Sequence, residues 1–598
     1  MNYTGGIEMK KITKNEVAEA RALLRQYKDG KKHLESRIVT EEEFWKRRHW
    51  EQLRGKDEKT RPASGWMFNS ICNKHADAMD SYPEIKCLPR EQSDEGSAAL
   101  LTEIIPVIME RNGFEETYSA NWWYKLKHGC AAYGVFWDSS AQNGLGDVQV
   151  TRIDLLNIFW EPGITDIQKS RNIFIVDLVP TEDIRARYPS AGIKGGSGAN
   201  AELESYRFDD AVKVDDKTLV VDWYYKKTDK NGKTVLHYCK FAEDEVLFAS
   251  ENEKAYESRG WYDDGKYPID FDVLYPEEGT PVGFGVVSVC KDAQLSIDEL
   301  DGAILKTAVM AATPRFFAKE SCGINENEFL DWTKPLVHTA SDVDDRVVKQ
   351  INLNPMSGFI ANFRQNKIDE MKETSSNRDF SQGSTASGVT SGAAIATLQE
   401  AGNKTSRDMI NASYRCYARI AEKIIDRMRQ FYDERRCFRI TGEAGAQTKY
   451  VSFGNDALKP QSMGNVGGSE LFREPVFDIK IKAQKHNPFS TLSQNETAIN
   501  LYNAGFFNPQ NAQAAEAAIR MMDFEGKKDV EEYILQGQTL YNQLTALQQQ
   551  NAQLQQMLTG IRAQPQTAVQ PGSGASAAPT EKQKTAAEKL AKAATKNV

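Results

Sequence analysis

The strongest constraint on this chain is a mid-chain order of pieces: two apolar-striped helical segments bracket a short β-rich stretch, and a glycine- and serine-rich run separates them from a third long helix. Cys290, Ile297, Leu300, Ile304, Ala308 and Ala311 recur at three- and four-residue intervals across 284–312, the spacing of one helical face. Pro314 ends this helix at or near Thr313, because the residue before a proline is pushed out of the α region. Residues 315–354 are mixed and short-ranged, a small β-containing unit, and a return helix is expected over about 356–374. The run Ser381-Gln-Gly-Ser-Thr-Ala-Ser-Gly-Val-Thr-Ser-Gly392 has too few large apolar side chains to bury much area, so mobility is expected there. A long helix follows over about 393–433, with Ile410, Tyr414, Tyr417, Ala421, Ile424, Met428 and Phe431 on one stripe.

The flanks are mixed α and β. The 598 residues exceed one hydrophobic core, and domains of roughly 100–200 residues imply three or four units. Helical spacing runs from Glu16 to Tyr27 and from Glu41 to Leu53, where Phe44, Trp45 and Trp50 share a face beside Lys46-Arg47-Arg48. Tryptophans interleaved with a basic cluster suggest nucleic-acid contact; the preferred reading is a solvated helix whose tryptophans pack on the body. Ala98, Leu101, Ile104, Ile105 and Ile108 stripe a helix, a second spans about 115–133, and Gly134–Trp137 reads as a strand. Strands are expected over 147–160 and 172–179, then a short helix Glu182–Tyr188 capped by Thr181 and stopped by Pro189. Ile193–Asn200 reads as a flexible loop. Strands at 219–226, 234–241 and 245–249 form a meander around the Asn231-Gly232 turn signal. Further strands lie within 436–453 and 476–482, with a flexible Gly-rich loop at 464–468.

Residues 490–558 read as helical. Leu540, Leu544, Leu547, Asn551, Leu554 and Leu558 step by 4, 3, 4, 3 and 4, a heptad seam with one polar position of the kind that fixes register. An intramolecular helical hairpin would use the same seam. From Arg562 on, Pro, Gly, Ala and Ser dominate, and the tail from Glu581 carries five Lys against two Glu.

Composition argues against several classes. The net charge is -9, whereas proteins that grip DNA carry a basic surplus to replace counterions on the phosphates. Any DNA contact is therefore weak or confined to a local stripe. The cysteines at 72, 87, 130, 239, 290, 322, 416 and 437 form no C-x-x-C pair, so no zinc or redox motif is indicated, and scattered thiols fit a reducing cytoplasm. A polar N-terminus and the lack of 18 consecutive apolar residues predict neither signal peptide nor membrane span.

Catalytic signatures are also missing: there is no G-x-x-x-x-G-K-[ST], H-E-x-x-H or G-x-S-x-G. The histidines stand alone, so no metal centre is expected. Gly283-Phe-Gly285 has Ser288 in place of a third glycine and reads as a tight turn into the long helix. Asp298, Glu299 and Asp301, and separately Asp342-Val-Asp-Asp345, could hold Mg²⁺ for a nuclease; a solvated acidic face is the commoner role of such groups.

Three stretches give the order of pieces a family likeness. They are Ile158-Phe-Trp-Glu-Pro162; Pro281-Val-Gly-Phe-Gly-Val286 with Gln294, Asp298 and Pro314; and Ser387-Gly-Val-Thr-Ser-Gly-Ala-Ala-Ile395 with Leu398-Gln399-Glu400. In this the chain resembles the portal proteins of tailed phages and prophages over most of 40–560, with Glu161 standing where that family more often has Asp. The resemblance implies a mixed α+β, multi-domain portal fold. Its parts are a charged helical segment at 1–39, an α/β wing at 40–283 and 393–485, long-helix stem segments at 284–312 and 356–376, and a small β-containing clip at 313–355. A tunnel loop at 377–392, a helical crown at 486–560 and a disordered basic tail at 561–598 complete it.

The implied function is a ring, typically of twelve subunits, at one capsid vertex of the virion, assembled in the host cytoplasm. Duplex DNA passes through it without sequence recognition. The implied partners are the terminase large subunit, the major capsid protein, scaffolding and the head-tail adaptor proteins, with no cofactor, metal, catalytic residue or membrane. Within such a channel Arg364, Lys367, Lys372 and Arg378 would present rings of positive charge, unless they pair with Asp369, Glu370 and Glu373 on their own helix. Gly383, Gly388 and Gly392 would let the tunnel loop shift. A packaging nuclease or ATPase, and a non-ring capsid or tail component, are the competing expectations.

Overall fold

In a computed structural model the chain divides into two compact units, Met1–His486 and Asn487–Val598. The structure describes residues 11–50, 62–195, 216–228, 232, 234–312, 315–318, 323–331, 333–340, 348–351, 358–376, 404–440, 449–466, 469–485 and 527–562, with short pieces within 499–505 and 515–519. No described helix is long and apolar enough to cross a membrane.

The first unit opens with α1, Lys14–Trp45, started by a capping box between Thr13 and Glu16. The sequence spacing splits this stretch into two helices, and the structure joins them. Lys31, Glu35 and Ile38 are buried, and that packing outweighs the roughly 1 kcal/mol that Gly30 costs inside a helix. The helix stops at Trp45 and Arg47 turns left-handed, at φ 59°. Trp45 stacks on Phe68 and leans on Trp123, so this tryptophan packs on the body as expected.

Next come α2 (Trp66–Met79), β1 (Ser81–Pro89), α3 (Glu95–Arg111) and α4 (Phe114–His128). The predicted stripe of α3, from Ala98 to Ile108, is fully buried. Helix α4 ends five residues before the expected 133. Gly129 sits at φ 87°, and a Cβ there would lie 2.2 Å from the carbonyl carbon of Phe284. Only glycine closes the helix at that point, so the next strand, β2 (Cys130–Asp138), starts at Cys130 rather than Gly134.

Strand β3 (Asp147–Ile153) pairs with β2. Strands β4 (Ile158–Trp160), β5 (Asn172–Pro180), β6 (Lys217–Thr228), β7 (Thr234–Ala242) and β8 (Glu245–Ala249) form an antiparallel sheet in chain order. Between β5 and β6, α5 covers Thr181–Arg187. Thr181 is its first residue and not its cap; its hydroxyl meets that of Thr218 at 2.8 Å instead. One face of the sheet, with Phe174, Trp223, Tyr225 and Phe241, packs on Val17, Ala20, Leu24 and Tyr27 of α1. The other, with Ile158, Ile173 and Ile175, packs on a second core containing Ile269 and Phe271 of β9 (Ile269–Val273).

The chain then makes an excursion through α6 (Val286–Ala312), β10 (Arg315–Ala318), α7 (Glu326–Leu330), β11 (Val348–Ile351) and α8 (Gly358–Thr374). Strands β10 and β11 pair antiparallel, a small β unit as predicted. The chain re-enters the body with α9 (Lys404–Phe431); residues 393–403 of the expected helix lie outside the described ones. Hairpins β12 (Arg436–Ile440)–β13 (Lys449–Phe453) and β14 (Gln461–Val466)–β15 (Ser469–Arg473) follow. Of the expected loop 464–468, residues 464–466 are strand, because Asn465 and Val466 pair across that hairpin; 467–468 lie outside the described residues. Strand β16 (Phe477–Lys485) then pairs with β1 from the opposite end of the unit. One core contains Ile71, Leu101, Tyr118 and Tyr133 together with Tyr417, Ile424, Phe438 and Phe477, so the segments before and after the excursion fold as one body.

Buried charge joins these segments. The alternation Ile269-Asp270-Phe271-Asp272-Val273 predicts a wet carboxylate face, yet Asp270 and Asp272 are both buried, facing cations of α4 and α9. Lys125 Nζ donates to Asp272 Oδ1 at 2.7 Å and to Ser413 Oγ at 2.5 Å. Lys423 Nζ donates to Asp270 Oδ2, and Arg419 Nε to Oδ1 at 3.2 Å. Arg427, fully buried, lies 3.4 Å from the centre of the Tyr262 ring and 3.3 Å from Asp264 Oδ2.

Removing one partner of such a pair strands the other in a dry interior. Asp272→Ala is expected to lower stability by about 3–5 kcal/mol, read from urea unfolding of the full chain. A loss below about 1 kcal/mol, the range of a surface pair, would show that Asp272 does not hold Lys125.

Candidate functional site

Helices α6 and α8 are the element around which a function can be built. They run antiparallel, and their body-side halves are buried: Cys290, Gln294, Ile297 and Asp298 on α6, Ile368 and Met371 on α8. Their far halves are not. Leu305 and Val309 on α6, and Phe359 and Phe363 on α8, are exposed, Phe359 at 71%. Phe317 of β10 and Leu330 of α7, the latter 74% exposed, are further apolar side chains left exposed on the small β unit. The stripe that predicted α6 therefore runs past the point where one chain covers it, and Ala308 and Ala311 are exposed.

The predicted basic positions are engaged within the chain. Arg364 makes a two-pronged contact with Asp301 across the helix pair, Nη2 to Oδ2 at 3.1 Å and Nε to Oδ1. Lys367 Nζ donates to Glu370 Oε2 at 2.7 Å on its own helix. Lys372 Nζ sits 5.6 Å from the centre of the Trp66 ring. The expectation of same-helix pairing thus holds for Lys367 but not for Arg364, whose partner comes from the other helix. Arg378, Gly383, Gly388 and Gly392 lie outside the described residues.

On the body side, α6 is held through Asp298, Gln294 and Ser288 by partners that sequence reasoning did not assign to them. Asp298 Oδ1 accepts from Ser64 N at 2.7 Å, Ser64 Oγ at 2.8 Å and Gln294 Nε2 at 2.9 Å. His49 Nε2 meets Asp298 Oδ2 at 3.1 Å. Ser288 Oγ donates to Glu41 Oε1, and Arg37 Nη2 donates to the Gly283 carbonyl at 2.6 Å. One signal was present in the sequence: Gln294 and Asp298, four residues apart, put polar groups on the stripe of Cys290 and Ile297. A polar pair at core positions asks for buried partners.

The acidic groups read as possible Mg²⁺ ligands do not converge, because Asp298 is buried among its donors while Asp301 is taken by Arg364. No group of three or more His, Cys, Asp or Glu among the described residues could hold a metal ion. The run 342–345 lies outside the described residues. Gly283 and Gly285 serve close backbone approach and not a left-handed turn: a Cβ on Gly283 would sit 1.7 Å from the Tyr275 carbonyl oxygen, and one on Gly285 2.3 Å from that of Lys127.

Beside this anchor, His128 Nδ1 lies 3.0 Å from Glu41 Oε2 and its Nε2 lies 3.3 Å from Glu42 Oε2. Lys127 Nζ donates to Glu42 Oε2 at 2.5 Å. Burial alone would raise the Glu42 carboxyl, but His128 and Lys127 outweigh it and hold the pKa at about 2.

In the second unit, Ala515, Ile519 and Ile534 form a small core, and α10 spans Lys527–Arg562. Its end reaches two residues into the stretch expected as tail. Of the heptad positions, Leu544, Leu547 and Leu554 are more than half exposed and Asn551 is exposed. The side chains of Leu540 and Leu558 lie outside the described ones. Among the described residues, this part of the seam is left exposed.

A family model described as phage P22-like portal protein matches residues 75–595, nearly all of the chain. None of the curated proteins compared with the chain matches it.

The Glu42 pair makes a pH-dependent contribution of definite sign. A carboxyl held below its unfolded value stabilises the fold above about pH 4.5 and loses that contribution as the pH falls toward 2. Glu42→Gln is therefore expected to be less stable than the parent at pH 5, with the gap closing between about pH 4.5 and 2. Urea unfolding at stepped pH measures it, and a gap independent of pH contradicts it.

Proposed function

Since the chain belongs to the phage P22-like portal protein family, and so has a structural role at the capsid vertex of a phage, we propose that its copies close into a ring around a channel for duplex DNA. In that ring α6 and α8 form the stem, the β10–β11 unit forms the clip, and the body on either side of the excursion forms the wing. The boundaries are those expected from the sequence: wing 40–283 and 393–485, stem 284–312 and 356–376, clip 313–355, tunnel loop 377–392, crown 486–560.

The observation that carries this reading is the apolar tip. Soluble monomers rarely leave contiguous apolar surface uncovered, and where they do it marks an interaction site. Leu305, Val309, Phe359 and Phe363 lie on paired helices whose body-side halves are buried in the fold. A neighbouring copy brings the same surface, and each subunit then covers the next around an axis. The exposed Leu544, Leu547 and Leu554 seam of α10 supports the same conclusion for the crown, where a heptad repeat packs against copies of itself.

The charge pattern fits a channel that lets DNA move. Arg364, Lys367 and Lys372 are the proposed channel positions, with Arg378 beyond them. Arg364 and Lys367 carry a carboxylate partner each and Lys372 an aromatic one, so a ring of them attracts phosphate weakly and does not clamp it. The clip is proposed to dock the terminase large subunit during packaging and head-tail adaptor proteins afterwards, with capsid and scaffolding contacts on the wing. The competing nuclease reading draws no support from Asp298 and Asp301, which are already satisfied by protein donors; its other acidic run, 342–345, lies outside the described residues. Assaying the purified protein for ATP and DNA hydrolysis tests that alternative, and turnover would revive it.

Negative-stain imaging of the full chain under assembly conditions is expected to show rings with an axial hole. Leu305→Asp with Val309→Asp should abolish rings while leaving the thermal unfolding of the single chain within a few degrees of the parent. A chain that stays a single subunit under every condition rejects the proposal. Shortening 381–392 is expected to leave rings intact and to impair packaged length or genome retention; normal packaging would remove the tunnel-loop assignment.

A further inference from the structure

We propose that the N-terminal segment is a strap that fixes the first half of α6 to the body, and that the helix changes from strapped to free at Gly302. The idea rests on reading α6 as the stem. The strap, residues 14–50 and 62–65, lies ahead of the stretch that matches the family model.

It is anchored on the body before it reaches the stem. Arg21 Nη1 donates to Asp244 Oδ1 at 2.8 Å beside β8. Lys31 Nζ, buried, donates to the carbonyls of Leu155 and Ile158 and lies 4.2 Å from the centre of the Phe159 ring. It then meets α6 at three successive levels. Arg37 holds the Gly283 carbonyl just before the helix, Glu41 accepts from Ser288 in its first turn, and His49 with Ser64 closes on Asp298 in its fourth. The last two levels are ten residues apart, roughly 15 Å along a helix. Asp298 is fully buried and takes donors from both strap pieces and from Gln294, so it is the buckle. A carboxylate without water is stable only while such donors remain.

The strap ends where the helix changes character. Pro62 Cδ lies 3.7 Å from where a Cβ on Gly302 would be. Beyond this point Leu305, Val309 and Met310 are exposed, and Asp301–Arg364 is the last charged tie to α8. A glycine inside a helix weakens it by about 1 kcal/mol relative to alanine, so the one helical residue that lowers bending resistance stands at the edge of the strapped half. The stem base thereby belongs to the rigid body, while its far half and the clip can adjust to what docks on them.

Hydrogen exchange of the unassembled full chain tests this without requiring a ring, so its failure is separable from failure of the ring. Amides of 287–301 should exchange much more slowly than those of 303–312. Asp298→Asn and the milder Ser64→Ala should speed exchange over 287–301 by about tenfold or more, with Ser64→Ala carrying the test if the former does not fold. Gly302→Ala, whose methyl would make only ordinary contact with Pro62, should slow 303–312 and leave 287–301 alone. Arg259→Ala, which cuts the exposed Arg259–Asp263 pair outside the strap, should change neither. Uniform exchange along wild-type α6, no response to Ser64→Ala, or an equal response to Arg259→Ala overturns the proposal.

Discussion

Carboxylates taken out of water and matched to cations hold this molecule together. Asp272 is reached by Lys125 from α4 and Asp270 by Lys423 from α9, so one short strand ties a helix that precedes the long excursion to a helix that follows it. Each charge is costly to dehydrate alone, and only its partner recovers that cost. The body therefore closes cooperatively: α9 cannot leave without stranding charge on β9. Apolar packing of Tyr417, Ile420 and Ile424 around the same contact supplies most of the driving force, while the ion pairs fix how the segments meet.

A closed body is what makes the excursion informative. Helices α6 and α8 emerge from it with buried roots and exposed tips. The roots are secured twice, by packing of Ile297, Ile368 and Met371 and by the carboxylate of Asp298. The tips carry the same kinds of residue, and among the described residues nothing covers them. That asymmetry along one helix separates what the subunit does for itself from what it leaves to an assembly, and it suits a subunit that must be stable alone and sticky on demand.

Much of the architecture was legible beforehand. The α3 stripe, the β6–β8 meander, the α6 and α8 spans and the β10–β11 unit follow from local periodicity, which backbone geometry reads directly. The misses have a common cause. The split of α1, the late end given to α4 and the cap assigned to Thr181 each failed where a distant residue decided the outcome: the packing around Lys31 and Ile38, the approach of Phe284 to Gly129, and the hydroxyl of Thr218. The candidate site was half legible. The helices were found, yet the partners of Arg364 and Asp298 lie 63 and 234 residues away, and no spacing rule reaches that far.

By itself the sequence determined the menu of elements, the family likeness, and the acidic balance, because those depend on residue type and local period. Only the tertiary structure decided which charges are buried, which half of α6 and of α8 is covered, and that the N-terminal segment reaches along α6 to Asp298. Those depend on which surfaces meet, and a side chain's environment is set by neighbours in space and not by neighbours in the chain.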